Sequence, residues 1–369
     1  MAATVPTETL PTSSELAARY EIRPMRNDEL AALAEFIDEN WRKDHIFLVS
    51  KTLLDWQHFN RDANTYNFLV GVERATGAIR GLLGFIPINQ FDKEIDCSHA
   101  ISMVLWRVAE SARGSKLGRR MMLYLNDMVK PELLFTIGAT PMTLPIYEAH
   151  GFQIGLMAHH FIVNPEKRAY QLISLGDVNP RYRSCYQPMA SRTLERIDFA
   201  TIQKSSAIFS AQEELPKKTP TYLENRYLRH PMYQYQVWAV VQESRPIALV
   251  VTRMCTHESA RALRIVDFIG PSEALHGLEN EWLRILIEGD IEFIDFYNAG
   301  IAESDLKKSG FQRRAPETGT IIPGYFEPFS KRNVEIPYAI QLPAGKRYRL
   351  VKGDSDQDRP NRFPHVTVP

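Results

Sequence analysis

The order of hydrophobic stretches in this chain occurs twice, and that repetition limits the fold more than any single motif does. In the first half, Tyr20 to Met25 alternates like a strand, and Asn27-Asp28-Glu29 caps a helix in which Leu30, Leu33, Ala34 and Ile37 recur at three- and four-residue steps. Residues 67–72 and 79–85 flank the turn dipeptide Thr76-Gly77 and read as a hairpin. A strand from Ile101 to Val108, a helix from Leu117 to about Val129, a strand over 133–137, a short helix over 145–149 and a closing strand over 152–163 follow. The second half has the same order: a hairpin of residues 236–241 and 247–251, strand 263–269, a helix near 275–287 and strand 293–297. Gly151-Phe152 and Gly310-Phe311, about 160 residues apart, each end a short helical stretch. The expectation is an α/β protein of two tandem units, each a mixed, largely antiparallel twisted sheet flanked by helices. The expected boundaries are a flexible N-terminus over 1–18, a first domain over 19–172, a linker over 173–196, a second domain over 197–342 and a polar tail over 343–369.

Composition narrows the partners. A chain of 369 residues with 44% apolar and 24% charged residues can bury two ordinary cores. Lys plus Arg equals Asp plus Glu at 44 each, so no overall basic field exists to hold nucleic acid. Cys97, Cys185 and Cys255 show no CxxC spacing and no adjoining His cluster, and are expected to be buried, reduced thiols without a metal. The first residues lack the basic and apolar regions of an export signal, and no apolar run reaches the roughly 18 residues of a membrane span. A cytoplasmic protein without membrane insertion is expected, and the choice between monomer and homo-oligomer stays open.

Two segments carry chemistry. Val108 to Gly118 reads as a strand end, a loop and a helix start; small residues at Gly114, Ser115 and Gly118 let main-chain N–H groups approach a diphosphate, and the helix N-terminus adds about half a positive charge. Arg113, Lys116, Arg119 and Arg120 supply formal charge. The same residues also suit a plain strand-to-helix turn with solvated cations. In Pro145 to Phe152, Tyr147 projects from a short helix that Gly151 ends, and it can be either a packed aromatic or an acid.

Taken together, the segments resemble the GNAT superfamily of coenzyme A-dependent N-acyltransferases. The hallmark of Arg or Gln, two residues, Gly, one residue and Gly or Ala falls on Arg113, Lys116 and Gly118, and the family's Tyr with Gly-Phe four and five residues on falls on Tyr147, Gly151 and Phe152. Lys116 departs from the pattern: where the family has Gly, the loop must hold a negative φ or accept strain. The resemblance, over about Tyr20 to Asn164, implies acyl-coenzyme A as co-substrate and an amine as acceptor. It implies that Trp106, Arg107 and Val108 run beside the pantetheine arm, splayed from the next strand. Amides from Arg113 through Gly114, Ser115, Lys116, Leu117 and Gly118 to Arg119 would hold the pyrophosphate. A main-chain N–H at Val108 or its neighbour would face the oxyanion, and Tyr147 would protonate the leaving thiolate.

For the base, His45 and His58 come first, in Asp44-His45 and Asp55-Trp56-Gln57-His58, although either can equally be a packed or capping imidazole. Glu110 and His99 stand behind them, and of His159-His160 on the closing strand one ring is expected to face solvent. A narrower resemblance, resting on residues 41–46, 55–58, 229–233 and 295–298, is to two-domain GNAT proteins that acylate nucleotide-linked amino sugars in bacterial surface-polysaccharide (lipopolysaccharide) pathways. It implies that the second half, which lacks the phosphate loop, binds the acceptor through His230, Asp267, Asp295, Tyr297 and Asn298, with Asp44 of the first half beside it; packing and capping explain these residues equally well. Direct attack on the thioester is expected, because no Cys or Ser stands in a nucleophile setting beside a His. The competing readings are a GNAT acting on a small amine, an amino acid or a protein Lys, and a non-catalytic acyl-CoA-binding or scaffold protein.

Overall fold

The computed structural model describes residues 13–186 and 191–362. The chain is a mixed α/β protein with two large sheets. The strands of these two sheets are β1 Tyr20–Pro24, β2 Phe68–Glu73, β3 Ile79–Pro87, β4 Ala100–Val108, β5 Leu133–Ile137, β6 Gln153–Leu156, β7 Ala158–Val163, β8 Arg192–Ile197, β9 Tyr235–Gln242, β10 Arg245–His257, β11 Ala260–Ile269, β12 Phe293–Ala299, β13 Gln312–Arg313, β14 Pro337–Gln341 and β15 Leu350–Val351. The helices used below are α1 Ser13–Arg19, α2 Leu30–Asn40, α3 Lys51–His58, α4 Leu117–Val129, α5 Leu144–Glu148 and α6 Glu279–Glu288.

The first sheet has seven strands in the order β1-β2-β3-β4-β5-β14-β6, and the second has eight, β8-β9-β10-β11-β12-β7-β13 with β15 also on β12. In each, the antiparallel front leads into one parallel pair, β4 with β5 and β11 with β12. This is the expected repeat, with one addition: the halves exchange strands. The expected closing strand over 152–163 breaks at Met157, so that β6 stays at the edge of the first sheet while β7 pairs with β12 and β13 in the second. In return β14, from the end of the second half, inserts between β5 and β6. Both segments are apolar enough to be strands; which sheet they join is set by long-range packing, which local patterning does not encode.

Packing follows the exchange. One face of the first sheet is closed by α4, whose Leu117, Met121, Met122 and Leu125 are buried with Leu83, Ile101 and Phe152. Another cluster joins Phe68 and Phe135 of the first sheet to Tyr222, Tyr227, Leu249 and Val251 of the second half. Burying one such side chain contributes roughly 1.5–3 kcal/mol, so the halves share a core. The Trp282-centred cluster under α6 covers the far side of the second sheet.

The expected polar tail differs most. Residues 350–355 are buried, and the run from Gly353 to Pro360 lies as a strap against both halves. Lys218 Nζ contacts Asp267 at 2.5 Å and Asp354 at 2.6 Å. Arg253 Nη2 donates to Asp358 at 2.9 Å and the Tyr235 hydroxyl to the same carboxylate at 2.7 Å. Burial alone would push the Asp358 carboxyl up; the Arg253 charge and hydrogen bonds outweigh it and hold it below its ordinary value. Charged residues read as solvated because sequence pattern does not reveal their partners, which lie 105 positions away for Asp358 and Arg253.

Smaller differences have local causes. Of the expected flexible N-terminus, residues 1–12 lie outside the described residues, and 13–19 form α1. Of the linker, 187–190 lie outside them, and 192–196 belong to β8. Of the tail, 363–369 lie outside them. Cys255 is buried, but Cys97 and Cys185 are exposed, because both sit in loops; all three are free thiols. Both His159 and His160 are buried rather than one facing water, because β7 is an interior strand of the second sheet. Among the described residues no helix is long and apolar enough to cross a membrane.

Replacing Lys218 by Met would leave Asp267 and Asp354 buried together without their cation. A loss of about 3–5 kcal/mol is expected, read as a lower guanidinium midpoint.

Candidate active site

The parallel pairing of β4 with β5 is short. It covers Ala100 with Leu133, Ile101 with Leu134 and Ser102 with Phe135, and beyond that point the strands diverge. On its other edge, β4 carries an irregularity against β3: Leu82 faces Arg107 and Gly84 faces Val104, so Leu105 and Trp106 together oppose Leu83. Leu105 has φ 47°, unusual for a γ-branched residue. Such a bulge bends the strand and takes main-chain groups out of the ladder. The result is a cleft of about 670 Å³ lined by residues 103–108 of β4, the loop and first turn of α4 (112–114 and 116–119), residues 136–140 after and within β5, Met142, Thr143, Ile146, Tyr147, Trp41, Asp356 and Gln357.

The loop has the form its small residues suggest. Gly114 takes φ 77°, which no side chain favours. Lys116 takes φ 65° directly before α4, so of the two options for a lysine there the chain accepts the left-handed one, at roughly 1–2 kcal/mol. The Ser115 hydroxyl donates to the Ala112 carbonyl at 2.6 Å and accepts from the Leu117 N–H at 3.3 Å, fixing the turn. Gly118 is close to β4: a Cβ there would lie 3.1 Å from Trp106 Nε1 and from Val108 Cγ2. The main-chain N–H groups of the first turn of α4 have no acceptor within the helix. Arg113 pairs with Glu110 at 2.5 Å, and Arg119 Nε donates to His150 Nε2 at 2.7 Å while His150 Nδ1–H donates to the Ile146 carbonyl.

Tyr147 lies at the cleft on α5, packed by Trp106 at 5.4 Å and Phe152 at 5.2 Å between ring centres. Burial raises its hydroxyl well above the ordinary phenol value, and a hydrogen bond with Thr136 opposes this only in part. The group therefore stays a protonated donor through any assay range. Trp106 Nε1 is buried without a partner, a donor left over in the cleft wall. The residues present thus fit a phosphorylated thiol carrier: amides and cations at the loop, a spare donor along β4 and a protonated hydroxyl donor held at Tyr147.

All the expected cofactor-side residues except Ser115 line this cleft, and Ser115 holds its loop. The expected bases do not line it. His45 is buried, and its Nδ1 accepts from the Phe47 N–H. His58 is fully buried, next to Phe68 at 4.4 Å and bonded to Gln57. Burial, with the Arg359 charge adding to it, lowers each imidazole to about 3. Asp44 is exposed with φ 57°. Glu110 is exposed and paired with Arg113, and His99 pairs with Glu132 at 3.2 Å.

The expected acceptor residues of the second half are built into its interior. Asp295 is held by Arg264 at 2.7 Å and by His159 at 2.9 Å, and Tyr297 stacks on His159 at 3.7 Å. Asn298 contacts His160, Asp267 accepts from Lys218 and Tyr227, and His230 Nδ1 accepts from the Met232 and Tyr233 N–H groups. Trp41, Thr136, Gly138, Asp356 and Gln357 belong to the cleft and were missed as site residues. Trp41 adjoins the Asp44-His45 segment already singled out, but nothing local marks Asp356.

No family model and no curated protein matches the sequence. Solved structures do. A GCN5-related N-acetyltransferase from Anabaena variabilis ATCC 29413 superimposes with a TM-score of 0.54 at 12% identity, over 88% of this chain and 73% of that one. The fold is that of the GCN5-related N-acetyltransferases. A second such protein, from Kribbella flavida, has a TM-score of 0.51 at 11% identity over 88% of this chain and 71% of its own. The GCN5-related likeness therefore spans both halves.

Buried neutral imidazoles make the fold sensitive to acid. His45, His58, His160 and His230 are held to about 3 and His159 to about 4, burial being the main cause in each, against 6.5 for a free ring. Unfolding below pH 6.5 takes up protons that the native state does not bind. Their contribution is therefore whole above about pH 6.5 and is lost as pH falls toward 3–4, at up to about 1.4 kcal/mol per pH unit for each ring. Urea midpoints should drop between pH 7.5 and 5, and His58→Gln should flatten that slope; a midpoint flat across the range in the wild type would contradict the neutral assignment.

Proposed function

We propose that this chain is an acyl-CoA-dependent N-acyltransferase that uses the cleft between β4 and β5. The observation that carries the reading is the combination, in one cleft, of a strand pair that parts after three residue pairs, a helix N-terminus behind a turn with Gly114 at φ 77°, and a buried, protonated Tyr147. Acyl-CoA is a substrate here. The first-turn amides of α4 with Arg113 and Arg119 hold its pyrophosphate. The bulge at Leu105 and Trp106 offers a main-chain N–H to the thioester carbonyl, where negative charge develops as the amine attacks. Tyr147 gives its proton to the departing thiolate, and the phenolate left behind takes up the proton that the attacking amine loses; burial keeps the hydroxyl protonated until the thiolate forms.

The acceptor supported by the sequence resemblance is the amine of a nucleotide-linked amino sugar. A small amine, an amino acid or a protein Lys fits the same cleft chemistry, and the readings separate by melting the protein with thymidine or uridine diphosphate sugars, since a bound acceptor raises the melting temperature. Release of free thiol from acetyl-CoA in the presence of an amine panel tests the activity itself; thioester binding without thiol release from any amine would leave the binding-protein reading in its place.

Two substitutions probe the assignment. Tyr147→Phe should lower kcat about 10²-fold with coenzyme A affinity unchanged by calorimetry; full activity would remove the acid role. Gly118→Leu should drive a side chain against Trp106 and Val108 and weaken coenzyme A binding about tenfold or more, and an unaltered affinity would count against the loop.

A further inference from the structure

The cleft is charged unevenly. Arg107, Arg113, Lys116 and Arg119 are its cations, and Asp356 is the one carboxylate among its lining residues. That carboxylate comes from the other end of the chain, and the strap that carries it is tied on both sides. Before it, Asp354 takes Lys218 at 2.6 Å and Ser355 Oγ accepts from Ser102 Oγ at 2.8 Å, at the last residue where β4 still pairs with β5. Buried Arg226 donates to the carbonyls of Gly353 and Ser355. After it, Gln357 Nε2 donates to the Ile137 carbonyl at the tip of β5, and Asp358 takes Arg253. Gly138 makes room: a Cβ there would lie 2.6 Å from Gln357 Nε2. The strap thus spans the diverging strands from their junction to the tip of β5, with Asp356 between its two fixed points.

Among the described residues Asp356 has two hydrogen-bond partners, Arg359 Nη2 at 3.1 Å on Oδ2 and Gln357 Nε2 at 3.2 Å on Oδ1, and its side chain is 12% exposed. An ionised carboxylate has about four acceptor positions, so it can take a further donor from the cleft. We infer that Asp356 receives the ammonium group of the acceptor, which would make this cleft selective for amines that arrive charged and would make the second half's C-terminal strap part of the first half's site. This rests on the acyl-CoA reading. A carboxylate at this place holds the cation in the cleft that the thioester would share, and the nitrogen gives one proton to water before it attacks; the phosphate end, lined by cations, repels the ammonium.

The test uses two thioethers of coenzyme A that differ only in charge past the sulfur, S-(2-aminoethyl)-CoA and S-propyl-CoA, bound to the full-length protein by calorimetry. Wild type should prefer the aminoethyl compound by about tenfold or more. Asp356→Asn should bring the two within about twofold while keeping its affinity for S-propyl-CoA, a readout that loss of strap structure would not give. Equal affinities in the wild type, or a preference that survives in Asp356→Asn, would overturn the assignment. The wild-type comparison decides alone should the Asn variant misfold. Failure of both thioethers to bind the wild type would instead sink the acyl-CoA reading on which the inference stands.

Discussion

Two strands change places, and the rest of the molecule depends on that exchange. With β7 built into the second sheet and β14 into the first, neither half can close its hydrogen-bond ladder without the other. An exposed edge at β5 or β12 would leave main-chain groups unpaired beside an apolar surface, a costly arrangement. The chain therefore crosses to the first sheet at Pro337, comes back to pair β15 with β12, and the C-terminal strap that follows is delivered to the cleft as a consequence.

Delivery alone would not hold a polar segment in place. The strap is fixed by charge placed where water is scarce: Lys218 between two aspartates, Arg253 on Asp358, Arg226 on two carbonyls. Each charge is costly to bury and each has its partner within hydrogen-bond distance, so the pairs add specificity of position more than net stability. Removing one member is severe because the other stays behind. This explains how a run of residues with the composition of a solvated tail can be among the more buried parts of the protein.

The cleft shows the same division between local and distant causes. The divergence of β4 from β5, the left-handed Lys116 and the close approach of Gly118 to Trp106 are produced by residues near one another in the chain. Motif spacing together with the family resemblance pointed to this loop and to Tyr147, but left the sign of φ at Lys116 open and gave no sign of the contact between Gly118 and Trp106. The imidazoles proposed as bases failed to reach the cleft for a reason sequence conceals: His45 and His58 are neutral because the core around Phe47 and Phe68 desolvates them, and that core is assembled from several elements.

Element order, the repeat of one α/β unit and the small-residue strand-to-helix turn after Val108 were legible in the sequence, since hydrophobic period, turn residues and small residues at set spacings act over a few positions. Tertiary structure alone decided which sheet each of β7 and β14 joins, that Asp267, Asp295, Tyr297 and Asn298 serve the interior of the second half, and that Asp356 lines a cleft in the first. The reason is physical. A strand's partner and a buried charge's counter-ion are selected by the free energy of the whole packed chain, across separations of a hundred residues or more, and no local pattern carries that information.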